Sequence, residues 1–176
     1  IYDPNNLNSS NEGADYFPLR GNITVTQPDG FEIWEAGTVQ NITWLKKGNI
    51  STVDIKYSYD NGSFYNVTLA SGISAGNLSW PWTINNATTL AAQGKIKILD
   101  SSDPINVFDI SNNSFEVRGR IVVNAPSAAN ITLKVNDNYN ITWTPYGAVQ
   151  FVNLAYSTNS LTGPWVSIIS NLSAIP

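Results

Sequence analysis

A five-residue motif occurs twice in this chain and divides it into repeating units. The motif Gln40–Trp44 (QNITW) returns as Tyr139–Trp143 (YNITW), 99 positions later. The flanks agree, because Arg20-Gly21 returns as Arg118-Gly119 at a spacing of 98. A repeat of this length is well above the roughly 20 to 50 residues of a solenoid repeat and matches one small β-sandwich. The motif therefore predicts two successive β units in the chain.

Alternating apolar and polar residues predict short strands throughout the first unit, residues 21–118. In the motif, Ile42 and Trp44 fall on the face that points to the core, and Asn41 falls on the face that points to water. Between two strands, Asp60–Gly62 (DNG) predicts a hairpin turn, since Asn-Gly accepts the positive φ of a tight loop. The predicted strands cover 22–27, 38–45, 51–59, 64–70, 77–83, 93–99 and 112–118.

The same alternation predicts which side chains of the first unit fill its core. Seven short strands at this spacing favour an all-β fold made of tandem immunoglobulin- or fibronectin-like antiparallel sandwiches, each of about 98 residues. The predicted inward residues are Ile42, Trp44, Val53, Ile55, Tyr57, Tyr65, Val67, Leu69, Leu78, Trp80, Trp82, Ile96, Ile98, Phe115 and Val117.

Both ends of the chain resemble parts of a unit. Residues 1–20 end in Tyr16–Arg20, which parallels Ser114–Arg118 at the end of the first unit. We therefore expect residues 1–20 to hold the closing strand of a preceding repeat, or a donor segment for another chain. The chain starts at Ile1 and has no Met, so we expect a processed product or a piece of something longer. The second unit, 119–176, keeps only four predicted strands, near 120–125, 138–144, 149–157 and 164–170.

Composition excludes several classes of function. Charged residues make up 12% of the chain, against about 25% in ordinary soluble domains. With 9 basic and 13 acidic residues there is no basic stripe, so we do not expect a nucleic-acid partner. The absence of Cys and His removes Cys or His nucleophiles, the Ser-His-Asp triad and the usual zinc sites. No apolar run is long enough to cross a bilayer, and we expect neither a cofactor nor an enzyme.

The chain is rich in the Asn-x-Ser/Thr acceptor sequence for N-glycosylation. The composition predicts about four such sequences by chance, whereas twelve occur, so we expect covalent N-glycans and an extracellular or cell-surface location. The alternative is that Asn, Ser and Thr are simply common in turns and exposed strands. The acceptors are Asn8, Asn22, Asn41, Asn49, Asn61, Asn66, Asn77, Asn86, Asn112, Asn130, Asn140 and Asn171.

The first unit resembles a known family through several short segments. They are Pro28–Gly37 (PDGFEIWEAG), Asn41–Trp44, Val53–Ile55, Asp60–Ser63, Trp80–Trp82 and Ser101–Pro104. They resemble the immunoglobulin-like domain of fungal serine/threonine-rich cell-wall proteins of the β-glucan assembly type, and related tandem repeats of bacterial and archaeal surface proteins. The second unit departs from the pattern, since Ala128–Asn136 lacks the Trp-Glu-Ala-Gly segment and Gly163–Trp165 replaces the Asn-Gly turn. The resemblance implies a fold and an extracellular address, with no catalytic residues.

Few residues suggest a chemical site. Glu32 and Glu35, three apart on a predicted loop, fix no geometry for glycoside hydrolysis. Trp34 and Trp165 lie on predicted loops and are candidates for sugar stacking, whereas Trp80 and Trp82 alternate into the core. Scattered aspartates could suggest calcium but form no dense cluster, and turn formation explains them better: Asp54, Asp60, Asp100, Asp103 and Asp109.

The sequence thus favours a structural protein, a glycosylated extracellular polymer such as a filament, sheath or surface layer. Its expected partners are copies of itself or adjacent repeats in head-to-tail contact. The alternative is a carbohydrate-binding or spacer module of a large secreted enzyme or adhesin. Many more copies of the unit in the full reading frame would favour the polymer, and an adjoining catalytic domain would favour the module.

Overall fold

The computed structural model describes residues 2–10, 13, 16–127, 132–134, 136–159 and 162–174. For residues 2–3 and 7–10 the description covers the backbone alone. The described chain is all-β, with fifteen strands and a single 3₁₀ turn at Ala75–Asn77. The all-β fold predicted from the sequence is confirmed at this level.

The strands are numbered in chain order. They are β1 (Tyr2–Asp3), β2 (Asn6–Ser10), β3 (Asn22–Gln27), β4 (Ile33–Glu35), β5 (Val39–Lys47), β6 (Thr52–Ser58), β7 (Val67–Ser74), β8 (Ser79–Thr83), β9 (Ala91–Asp100), β10 (Phe108–Ile110), β11 (Phe115–Arg118), β12 (Arg120–Ala125), β13 (Thr142–Tyr146), β14 (Phe151–Tyr156) and β15 (Val166–Ser173).

The first unit contains two sheets that share one core. One sheet has the order β3-β5-β8, and the other has the order β4-β11-β9-β6-β7, with β10 beside β11 on the same edge of β9. The pairs are antiparallel except β4 with β11, which run parallel. Buried side chains from both sheets belong to one cluster, as in a β-sandwich. The largest of them are Trp44, Tyr57, Phe115, Ile42, Ile55, Ile96 and Ile98.

Strand β5 shows why the repeated motif forms a core strand. Ile42 and Trp44 are buried and Asn41 is exposed, as the alternation predicts. The Trp44 indole N–H donates to the carbonyl of Ala75 at 3.1 Å, which satisfies the one polar group of a fully buried ring. Trp44 therefore ties β5 to the 3₁₀ turn.

The second unit repeats the strand pairing of the first unit. Each residue pair that joins β12 to β13 lies 98 and 99 positions after a pair that joins β3 to β5. Each pair that joins β14 to β15 lies 99 positions after a pair that joins β6 to β7. Examples are Val25 with Trp44 and Val123 with Trp143, then Val53 with Ile73 and Val152 with Leu172.

Side-chain hydrogen bonds repeat with the same spacing. The Trp143 indole N–H donates to the Ala174 carbonyl at 3.0 Å, as Trp44 does to Ala75. The backbone N–H of Gly72 donates to the Asp54 carboxylate at 2.8 Å, and that of Asn171 donates to the Asn153 side-chain oxygen at the same distance. The two units therefore share side-chain geometry as well as strand pairing, with β12, β13, β14 and β15 as the counterparts of β3, β5, β6 and β7.

Several local predictions are wrong. Tyr16–Arg20 lies outside the strands of the chain and is exposed, whereas a closing strand was expected there. Leu78 has a φ of 56° and is 40% exposed, because the 3₁₀ turn before it ends in a left-handed residue and breaks the alternation. Of the strand expected at 112–118, only Phe115–Arg118 forms, as β11, since the chain bends at residues 112 and 113, and β10 lies before the expected range. The hairpin turn is confirmed, with φ values of 58° at Asn61 and 84° at Gly62.

Candidate functional site

The acceptor asparagines lie on the surface of both units. All ten whose side chains the structure describes are exposed. Asn130 lies outside the described residues, and Asn8 is described in its backbone alone. The ten other asparagines in the described part of the chain are exposed too, so exposure permits modification without selecting the acceptors. The exposed acceptors are Asn22, Asn41, Asn49, Asn61, Asn66, Asn77, Asn86, Asn112, Asn140 and Asn171.

Strand alternation explains the exposure of only some acceptors. Asn41 lies within β5, on the solvent face of its sheet. Asn66 precedes β7, Asn77 ends the 3₁₀ turn and Asn140 precedes β13, whereas the sequence placed all three on strands. Loop geometry, rather than the pleat of a sheet, exposes these side chains.

Two acceptors make side-chain hydrogen bonds to residues that are distant in the chain. The Asn61 side-chain oxygen accepts from the Ser114 hydroxyl at 3.1 Å. The Asn112 amide nitrogen donates to the Asp29 carboxylate at 3.0 Å. N-glycosylation leaves one N–H on the amide, so a glycan at Asn112 is compatible with its bond to Asp29.

The two tryptophans predicted for sugar stacking have different environments. Trp34 lies on β4, and the prediction of a loop position is wrong. It is 4% exposed, and its ring centroid lies 5.0 Å from that of Phe115, so it packs in the core without a face open to a ligand. Trp165 follows β14 on a loop, as predicted, and is 56% exposed. Trp165 therefore remains a candidate for stacking.

A groove beside Trp80 was missed by sequence reasoning. It lies between β7 and β8, has a volume of about 430 Å³, and is lined on one wall by the half-buried Trp80 and on the other by Thr68. Thr83, Asn85 and Thr88 follow in a polar stretch along its rim. An aromatic wall with hydroxyl and amide groups can hold a sugar ring. The Thr- and Asn-rich segment after Trp82 was the available signal, but Trp80 had been assigned wholly to the core.

The acidic residues serve turns and loops. Within the part of the chain that the structure describes, no group of three acidic side chains is placed to hold a metal ion. The Asp60 carboxylate accepts from the Ser58 hydroxyl and the Phe64 backbone N–H, and these bonds lower the pKa of Asp60. The Glu32 carboxylate accepts from the N–H groups of Asp29 and Gly30, which fixes the bend before β4.

The inner face of the second unit is open. An apolar groove of about 310 Å³ lies between its two strand pairs. We call this surface the open face, and define it by Ile121, Val123, Trp143, Val152, Leu154 and Tyr156.

The strands beside the open face have unpaired edges. Among the residues that the structure describes, β14 pairs with β15 alone, whereas its counterpart β6 pairs with both β7 and β9. Within the same described part of the chain, β13 pairs with β12 alone, whereas β5 pairs with both β3 and β8. Unpaired edges next to an apolar surface favour the addition of another strand.

The two units meet at a tightly packed junction. Gly119 is the one residue between β11 and β12. A Cβ added at Gly147 would lie 2.7 Å from the Leu90 side chain, so the two units are in close contact there. Within the second unit, the Arg120 guanidinium stacks on the Tyr146 ring at 4.4 Å, and its buried Nε has no hydrogen-bond partner in the described part of the chain.

Among the described residues, no helix is long and apolar enough to span a membrane. Comparison with known protein families, with curated proteins and with solved structures finds no match for this chain. The features of the chain that bear on its function are therefore the acceptors, the aromatic groove, the junction and the open face.

Proposed function

We propose that this chain is a structural, N-glycosylated component of an extracellular polymer, built from tandem immunoglobulin-like sandwiches of about 98 residues. The observation that carries the proposal is the shared pairing register of the two units, which repeats across four strand pairs. A chain made of one repeated sandwich is suited to span distance, since each added unit contributes length without new chemistry.

The junction supports the tandem arrangement. A single residue, Gly119, joins the last strand of the first unit to the first strand of the second. The close approach of Leu90 to Gly147, and of Gly37 to the Tyr146 ring, holds the two units against each other. Short links and direct contacts favour a stiff, extended array over freely jointed domains.

The strand order supports the immunoglobulin-like type. The first unit places three strands in one sheet, and the strand at the edge of the other sheet is parallel to the last strand of the unit. Together with the segments that resemble the cell-wall and surface-protein family, this order agrees with a known extracellular sandwich. The fold alone carries no activity, so the extracellular assignment depends on the acceptors.

The acceptors support a surface location. Twelve acceptor sequences occur, about three times the number that chance predicts, and all with described side chains are exposed. The low charge content of 12% leaves a neutral polar surface on which glycans would supply the hydration.

Two measurements on native material test the proposal. Glycopeptide mass spectrometry should find glycan on most acceptors, and electron microscopy should show filaments, sheaths or a lattice with a repeat close to the length of one unit. The polymer proposal fails if native particles are single short chains. The glycoprotein proposal fails separately if all twelve asparagines carry unmodified side chains.

The second candidate function is carbohydrate binding within a larger secreted protein. The groove beside Trp80 and the exposed Trp165 favour it, since both offer an aromatic face to solvent. Affinity electrophoresis in gels containing soluble β-glucan tests it with Trp80→Ala and Trp165→Ala. A binding module is supported if the gel retards the unaltered chain and if either substitution abolishes that retardation. Trp34→Phe, at a buried tryptophan, serves as the control.

A further inference from the structure

The first unit contains strands that cover its apolar inner face, and the described part of the second unit has no counterparts of these strands. Strands β8, β9 and β11 cover the inner faces of β3, β5 and β6, and their side chains join the same buried cluster. Ile96 and Ile98 of β9 are fully buried against these strands. The surface that they cover has its counterpart in the open face.

The two faces have nearly the same chemistry. Five of the six positions carry the identical residue, and the sixth exchanges isoleucine for leucine. The pairs are Ile23 and Ile121, Val25 and Val123, Trp44 and Trp143, Val53 and Val152, Ile55 and Leu154, and Tyr57 and Tyr156. A strand that packs on the first face therefore meets the same apolar side chains on the second.

The free edge of β14 supplies the matching backbone groups. In the first unit, β9 pairs antiparallel with β6 over six residues, with Ile98 opposite Ile55 and Ile96 opposite Tyr57. Leu154 and Tyr156 occupy the corresponding positions of β14. An added strand thus has a defined register, because its two aliphatic residues must face the groove.

The outer side of β14 also accepts such a strand. In the first unit, Lys97 of β9 lies opposite Lys56 of β6, which places two positive charges side by side. Ala155 stands at the position of Lys56 in the second unit, so a strand of the same sequence meets no like charge there.

We propose that the open face and the free edge of β14 form a docking site for one occupant, a β9-like strand of a further copy of the repeat, which pairs antiparallel with β14 and carries aliphatic residues two positions apart, as Ile96 and Ile98 are in β9. The proposal depends on the tandem-unit part of the proposed function and is independent of glycosylation and location. Backbone hydrogen bonds to β14 give affinity, and the apolar groove selects the alternation of the strand.

The exposed segment Tyr16–Arg20 of a second copy is a poorer occupant. Its Phe17 and Leu19 are exposed and two positions apart, but Pro18 between them has no N–H to donate. It parallels β11, which in the first unit pairs with β9 and β4 and makes no pair with β6. Self-association through this segment is therefore a competing outcome of the experiment below.

The experiment uses unglycosylated chain 1–176 and a synthetic peptide with the sequence of Ala91–Asp100. We expect amide hydrogen exchange to slow at least tenfold in β14 when peptide is added. The control peptide carries Ile96→Asn and Ile98→Asn, which keep the length and remove the groove-filling side chains. Equal protection by both peptides, or no protection by the first, overturns the proposal.

A fused chain removes the dependence on peptide affinity. Position 176 corresponds to Asn77, so a copy of residues 78–118 added after Pro176 supplies the occupant in register. In this fusion we expect amide hydrogen exchange in β14 to slow and the fluorescence of a dye that binds exposed apolar surface to fall. A control fusion that carries Ile96→Asn and Ile98→Asn in the added copy should show neither change. The choice of occupant is overturned if sedimentation shows that the unaltered chain associates with itself through Tyr16–Arg20 and if hydrogen exchange shows that β14 is protected in that dimer. Because the protein here is unglycosylated, failure of this test leaves the glycoprotein proposal intact.

Discussion

The two units have the same strand pairing and different burial. Equivalent residues pair across the same strands, yet most of those that are buried in the first unit are half-buried or exposed in the second, where Val152 is the exception at 6% exposure. The exposed fractions are 2% for Ile23 and 46% for Ile121, 2% for Val25 and 54% for Val123, and 1% for Tyr57 and 49% for Tyr156. The pairing of two strands is therefore set by the sequence of those strands, and the burial of their side chains is set by other strands that are distant in the chain.

This difference separates local from long-range stabilisation. An isolated strand pair is marginal in water, and burial of a large aliphatic or aromatic side chain contributes about 1.5 to 3 kcal/mol. The first unit obtains that contribution from β8, β9 and β11, whereas the second unit leaves the same side chains on the open face. We therefore expect matched substitutions to cost more in the first unit.

The largest expected effect is at the repeated tryptophan. Trp44→Ala should lower the free energy of unfolding of the first unit by about 3 to 5 kcal/mol, because the ring is fully buried. Trp143→Ala, on the open face, should cost the second unit clearly less. Urea titration of the full chain, monitored by hydrogen exchange in β5 for the first unit and in β13 for the second, measures both losses of stability. Equal losses would show that the open face is as well packed as the core.

The next largest effect on stability is expected at the two side chains that hold equivalent bends, Asp54 for β7 and Asn153 for β15. Asp54→Ala removes a charged acceptor of the Gly72 N–H and of the Ser101 hydroxyl, and should cost about 1.5 to 3 kcal/mol. Asn153→Ala removes a neutral acceptor of the Asn171 N–H and should cost about 0.5 to 1.5 kcal/mol. Exchange rates of the two donor amides report the loss directly. A larger cost at Asn153 than at Asp54 would contradict the greater contribution expected of the charged acceptor.

A smaller effect is expected at the junction glycine. Gly147 has a φ of 80° and its counterpart Gly48 a φ of 79°, so alanine strains both backbones by about 1 to 2 kcal/mol. Only at Gly147 does the added methyl group meet Leu90 of the other unit. We expect small-angle X-ray scattering to show a changed maximum dimension for Gly147→Ala and none for Gly48→Ala. The same profile for both variants would mean that the junction does not fix the angle between units.

The smallest effect appears only in alkali. Burial raises the pKa of Tyr57, whose ordinary value is 10.0, and burial together with Asp60 raises that of Tyr65 to about 12. The folded state then holds protons that the unfolded state releases, so this stability is complete below pH 10.0 and is lost as pH rises above it. Urea midpoints of the first unit should stay level from pH 8 to about pH 10 and fall between pH 10 and 11, less steeply in Tyr57→Phe. A slope unchanged by that substitution would exclude Tyr57 as its source.

Sequence patterns predicted the parts of the fold that have a strong local signal. The boundaries of β3 and β12 are those expected, and the inward phase of Ile42 and Trp44 holds. The Asn61-Gly62 turn was also predicted, because few sequences other than Asn-Gly accept two successive positive φ values. Strict alternation and turn chemistry act over a few residues and need no distant partner.

The missed features depend on distant partners. β4 has three residues, too few for a period, and forms because Glu32 bends the chain beside β11. That pairing turns Trp34 into the core and removes it from the stacking candidates. The half-buried position of Trp80 likewise depends on how far β7 and β8 diverge, which no local pattern records. Of the site, sequence predicted the acceptors and Trp165 but not the groove.

The parallel pairing of β4 with β11 has a mechanical consequence. Its backbone bonds include Phe31 N–H to the Ser114 carbonyl, Glu116 N–H to the Glu32 carbonyl and Ala36 N–H to the Arg118 carbonyl, at 2.8 to 2.9 Å. Tension applied between β4 and Gly119 pulls these parallel strands in opposite directions along their axes. The bonds between the two strands are then loaded in shear at once, so rupture of the pairing requires them to fail together rather than in sequence. The pairing of β4 with β11 is therefore well arranged to resist a pull along these two strands.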